Sequence, residues 1–125
     1  MDIKMWEMIR RLLGSAIDQQ SFIPGIVADA YYHECKAAGL IEGPTRKEVS
    51  EFADSISIEL EDIGLIENVA QTDRGRAMLA CKRRTAFGDE VYEALQGHNV
   101  VALFEGMHCE IDAGEIRRTL HQLDS

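Results

Sequence analysis

Apolar residues recur along this chain mostly at the spacing of a helix. Trp6, Ile9, Leu12, Leu13 and Ala16 share one face and predict a first helix within residues 3–17, ending near Gly14 or a few residues later. Pro24 suits the first turn of a second helix, where its missing N–H costs nothing. That helix, about 25–38, turns Val27, Ala28, Tyr31, Cys35 and Ala38 inward, and Gly39 follows as a left-handed cap. After the Gly43-Pro44 turn, Thr45 and Glu48 stand at capping-box spacing, where a hydroxyl and a carboxylate satisfy otherwise orphaned amides. Val49, Phe52, Ala53, Ile56, Leu60 and Ile63 then define the clearest helix of the chain, about 46–63, closed by Gly64.

Beyond Gly64 the pattern shortens. Leu65-Ile66-Glu67 reads as a brief strand, and Asn68 to Gln71 as a tight connection. Thr72 is placed to cap a helix running to about Arg83. Phe87, Val91, Tyr92 and Leu95 mark another helix, stopped by Gly97. Val100 to Phe104 fits a strand by length and a helical turn by position. Asp112 with Glu115 caps a last helix bearing Ile116, Leu120 and Leu123. Residues 28–42 also echo residues 53–67, with Ala-Asp, a Glu and Gly-Leu-Ile-Glu at matching places. Either a duplicated helix–strand unit or two independent uses of one physical solution accounts for it. Two copies are too few for a solenoid.

Composition adds limits. The 125 residues are 46% hydrophobic and 28% charged, the profile of one globular domain over residues 1–125. Within it, a core of about 3–83 is followed by a helical extension of about 85–125. No apolar run is long enough for a membrane span, and Met1-Asp2-Ile3-Lys4 lacks the basic and apolar stretches of a secretory signal. Cys35, Cys81 and Cys109 are odd in number and far apart, as free thiols in a reducing compartment are. A cytoplasmic location is expected. The net charge of −9 is uneven: residues 28–67 carry −7, residues 68–88 carry +4 and residues 89–125 carry −6. Most of the surface repels phosphate backbones and attracts basic partners.

The stretch Leu60-Glu61-Asp62-Ile63-Gly64-Leu65-Ile66, followed by Thr72-Asp73-Arg74-Gly75-Arg76, resembles the winged-helix superfamily, most closely the repressors of the multiple-antibiotic-resistance and phenolic-acid types. The resemblance spans residues 46–80. It implies an α+β, predominantly helical fold: a winged-helix-like core, a short two-stranded wing and additional C-terminal helices. It also implies that the helix of 46–63 stands where a recognition helix stands and that Thr72 opens the helix beneath the wing. Between Thr45 and Gly64 there are only 18 residues, so the partner helix must be 25–38, reached through a long linker.

Charge sets two functional expectations against each other. The outer face of helix 46–63 is acidic, and Ile58 stands in its middle, off the apolar stripe. Glu51, Asp54, Ser55, Ile58, Glu61 and Asp62 are the expected contact residues for a basic protein surface. The alternative is a DNA-binding transcriptional regulator that dimerises through its terminal helices, with Met5 and Tyr32 off their stripes. Arg46, Lys47, Arg74, Arg76, Lys82 and Arg83 would then contact nucleic acid, with Arg76 and Arg83 on one helix face. Carboxylates along the helix oppose that reading at every phosphate.

Chemistry leaves few candidates. His108, Cys109, Glu115 and His121 match no metal-ligand spacing, no nucleophile comes with a placed base, and no glycine loop cradles a phosphate. Cys81, among basic neighbours, is the one candidate for a redox role, provided it is exposed. No catalytic residue, metal or cofactor is expected, and a small enzyme or metal/redox protein stands as a further alternative. The expected function is a non-enzymatic acidic regulatory module acting mainly through protein–protein contacts.

Overall fold

The computed structural model describes residues 3–17, 22–39, 44–69, 81–97, 99–107 and 109–123. In chain order the elements are α1 (Met5–Ser15), α2 (Pro24–Ala37), α3 (Arg46–Asp62), β1 (Ile66–Asn68), β2 (Lys82–Arg84), α4 (Ala86–Leu95), α5 (Val100–Gly106) and α6 (Ala113–Leu123). A small antiparallel hairpin flanked by helices gives an α+β, winged-helix-like architecture with extra C-terminal helices. Residues 100–106 resolve as helix.

The local signals act as their chemistry requires. Pro24 occupies the first turn of α2. Glu48 N–H donates to Thr45 Oγ1 at 3.2 Å while Thr45 N–H donates to Glu48 Oε1 at 3.0 Å, so the capping box of α3 is complete. Gly39 and Gly64 both adopt positive φ, +82° and +85°, ending α2 and α3 in the same left-handed way. The echoed helix–glycine units thus share a backbone solution, while the strand-like part of the first, 40–42, lies outside the described residues.

One buried cluster joins every helix. Trp6, Ile9, Leu12 and Leu13 of α1 meet Val27, Ala28 and Tyr31 of α2, Val49, Ala53, Ile56 and Leu60 of α3, and Val91, Leu95, Phe104, Ile116 and Leu120 of α4–α6. Trp6 packs edge-on against Phe104, centroids 4.6 Å apart. One inward assignment fails: Ala38, just past the end of α2, is exposed, whereas Cys35 packs half-buried against the core.

The segment before α4 needs correction. Residues 82–84 are not the end of a helix but strand β2, paired with β1 in the register Ile66↔Arg84, Glu67↔Arg83 and Asn68↔Lys82. The pairing continues at Val69, whose N–H donates to the Cys81 carbonyl at 3.0 Å. The wing is therefore not closed by Asn68–Gln71, since its second strand begins only at Lys82, fourteen positions after Asn68. Its cause is cross-strand chemistry, because an extended Lys-Arg-Arg sets Arg83 directly opposite Glu67. The expected helix start at Thr72, with Arg74 and Arg76, lies outside the described residues.

Thr85 and Gly88 fix α4 to the hairpin. Thr85 N–H donates to the Leu65 carbonyl at 3.0 Å, and Thr85 Oγ1 accepts from Gly88 N–H at 3.0 Å as the cap of α4. A Cβ on Gly88 would stand 1.9 Å from the Leu65 carbonyl oxygen, so only glycine permits this approach.

Candidate functional site

α3 packs mainly on α2 and buries Val49, Ala53, Ile56, Ser57 and Leu60, which turns a continuous stripe outward. Lys47, Glu51, Asp54, Ser55, Ile58 and Asp62 are all exposed, at steps of three, four or one along the helix. Ile58 is 60% exposed. Asp54 and Asp62 stand one turn before and one turn after it, and Glu59 is exposed beside it. Five of the six expected protein-contact residues are thus exposed on α3.

Glu61 differs. Its Oε2 lies 3.1 Å from Lys82 Nζ, which also donates to Asn68 Oδ1 at 2.6 Å, so this carboxylate is drawn toward the hairpin. At the other end of the stripe, Lys47 reaches Glu51 at 3.8 Å, both well exposed, a weak solvated pair.

The bases expected to meet nucleic acid face the chain's own acids. Arg46 grips Asp29 of α2 through two hydrogen bonds of 2.8 and 2.7 Å. That guanidinium holds the Asp29 carboxyl below its ordinary range, and Arg46 is raised in turn. Arg83 donates to Glu67 at 2.8 Å. Arg84 donates to Asp89 and to the Leu13 carbonyl, each at 2.7 Å, and lies over the Tyr92 ring at 4.2 Å. Each of these described bases at α3 and the hairpin has an acidic neighbour, so the described part of the basic island, Lys82 to Arg84, is a set of ion pairs on a strand. Arg74 and Arg76 lie outside the described residues.

A second exposed isoleucine escapes the sequence pattern. Ile26 of α2 is 63% exposed, and a Cβ on the adjoining Gly25 would lie 4.0 Å from Ser50 Oγ of α3. Its only sequence signal is its place outside the Val27–Ala28–Tyr31 stripe. Met5 and Tyr32, expected to face another subunit, pack half-buried against this chain's own core.

A cleft of about 570 Å³ beside α1 and α5 is lined by residues including Lys4, Glu7, Arg10 and Glu105. Glu7 is tied to Arg10, which lowers its pKa, and Glu105 accepts the Trp6 backbone N–H at 2.6 Å. Cys81 and Cys109 are buried, and burial pushes the Cys109 thiol up. Burial leaves Cys81 without the exposure that a redox role needs. Among the described residues no three His, Cys, Asp or Glu side chains converge as a metal set, and no helix is long and apolar enough to cross a membrane.

Comparison with protein-family models, with curated proteins and with solved structures finds no match to this chain.

Proposed function

We propose that this chain is a non-enzymatic regulatory module that acts mainly through protein contacts, docking the outer face of α3 on a basic protein surface. The observation that carries this reading is Ile58, 60% exposed between Asp54 and Asp62. Burying an aliphatic side chain supplies a desolvated centre, and the surrounding carboxylates supply steering and orientation. The pairing of Arg46, Lys82 and Arg83 with Asp29, Glu61 and Glu67 supports it further, since a DNA contact would have to break or share those pairs.

Retention of a partner from an extract of the cells that encode this chain tests the reading directly. Wild-type protein should retain a protein that Ile58→Arg does not, with the variant still folded by circular dichroism. Retention that ignores the substitution sinks the assignment. A gel shift on random duplex at about 20 mM salt tests the DNA-binding alternative, because non-specific association is strongest there. No shift is expected, and salt-steep binding would replace the protein-docking reading with the nucleic-acid one.

A further inference from the structure

We propose that the occupant of the α3 face is a basic amphipathic helix, lying along α3 with an aliphatic residue on Ile58 and a Lys or Arg one turn to either side. The inference rests on the protein-docking reading above and names the shape and chemistry of the partner.

Three observations specify it. The exposed stripe is linear: Glu51, Asp54, Ile58 and Asp62 run along one helix at steps of three or four. At 1.5 Å per residue, Asp54 and Asp62 are separated along the axis by about 12 Å, with Ile58 midway. A complementary helix repeats this spacing with cations at i−4 and i+4 about an apolar residue, since both rods share one rise.

The stripe also runs as a ridge along the outer face of one helix. Two helices pack ridge into groove at about 8–10 Å between axes, a distance that long Lys and Arg side chains span while an aliphatic pair closes at the centre. An extended segment brings its backbone edge to a surface whose own backbone groups are already consumed within α3, so it gains no ladder of hydrogen bonds.

Charge selects the sign. Asp54, Glu59 and Asp62 are exposed with no ion pair among the described residues, whereas Glu61 is engaged by Lys82 and Glu51 lies near Lys47. These carboxylates, without an ion pair among the described residues, flank Ile58 itself, and an acidic or neutral helix would leave them repelled or unpaired at the contact.

Fluorescence anisotropy with three synthetic peptides of equal charge tests this. One carries Lys and Leu at helical period, one carries the same residues alternating at period two, and one is the helical peptide with Leu→Ser. The helical peptide should bind at least about tenfold tighter than either control, and Ile58→Arg should remove about tenfold or more of that affinity. Asp54→Asn with Asp62→Asn should weaken it several-fold and flatten its salt dependence. Should the period-two peptide bind equally well and both respond to Ile58→Arg, the helical partner is overturned while the docking face survives. If peptide binding ignores Ile58→Arg, or the helical peptide shows none at about 100 µM, the helix proposal falls. The first of these results also counts against the docking face itself. Circular dichroism of each variant separates lost binding from lost fold.

Discussion

The indole N–H of Trp6 donates to the backbone carbonyl of Cys109 at 2.9 Å, across 103 positions of sequence. With Phe104 edge-on to the same ring, the first helix and the segment before the last one share a single buried joint. Trp6→Phe removes the donor, orphans a buried carbonyl and leaves a void. A loss of about 2–4 kcal/mol is expected, read from urea unfolding by circular dichroism. A cost below about 0.5 kcal/mol would show that the joint does not hold the two ends together.

Gly88→Ala should be among the most damaging one-carbon changes in the chain. The new methyl would meet the Leu65 carbonyl oxygen at 1.9 Å, so α4 must leave the turn after α3. About 3 kcal/mol or more is expected. Gly106→Ala is the control, because nothing lies within 4 Å of its added carbon at the end of α5. Its expected effect is a gain of up to about 1 kcal/mol, checked by the two thermal midpoints side by side.

Stability should fall on acidification. Glu7 is held low chiefly by its hydrogen bonds from Arg10, Asp29 by Arg46, and Glu48 by the backbone N–H of Thr45. Each folded carboxyl lies below its unfolded value, so the stabilisation is complete above the ordinary range and is lost as pH falls through the folded values. The thermal midpoint should drop steadily below about pH 4. Relief of the net charge of −9 acts in the opposite direction at higher pH. In Asp29→Asn the acid limb should become shallower, and an unchanged limb would remove this pair from the account.

Thiol chemistry should be graded by burial. Cys35 is half-buried, whereas Cys81 and Cys109 are buried and the Cys109 thiol is pushed up. Under native conditions iodoacetamide should label Cys35 first, and Cys109 only on a timescale set by opening of the fold. Peptide mass spectrometry reads the order, and early labelling of Cys109 would contradict it.

Elements announced by their own residues were legible in the sequence. Thr45 and Glu48 specify the start of α3, Pro24 that of α2, and Gly39 and Gly64 the ends of both, because each acts within one turn. The acidic stripe with Ile58 was legible for the same reason, since helical phase sets exposure once the buried face is known. What depended on distant partners was not. Lys82-Arg83-Arg84 looks like a basic helix end until Glu67 and Asn68 are set opposite, and that register is a long-range choice. Nor does Gly88 reveal its role locally, because the carbonyl that demands it belongs to Leu65. Ile26 lies off its helix's stripe and carries no neighbouring charge pattern to single it out.

Thr85 spends both its amide and its hydroxyl at the junction of hairpin and α4, and Gly88 leaves that junction no slack. The ridge of α3 is thereby preorganised: its far end is clamped to the same turn, so little ordering entropy remains to be surrendered when a partner arrives. Association should then resemble a lock meeting its key, with a rate governed by collision and ionic strength and insensitive to solvent viscosity beyond diffusion.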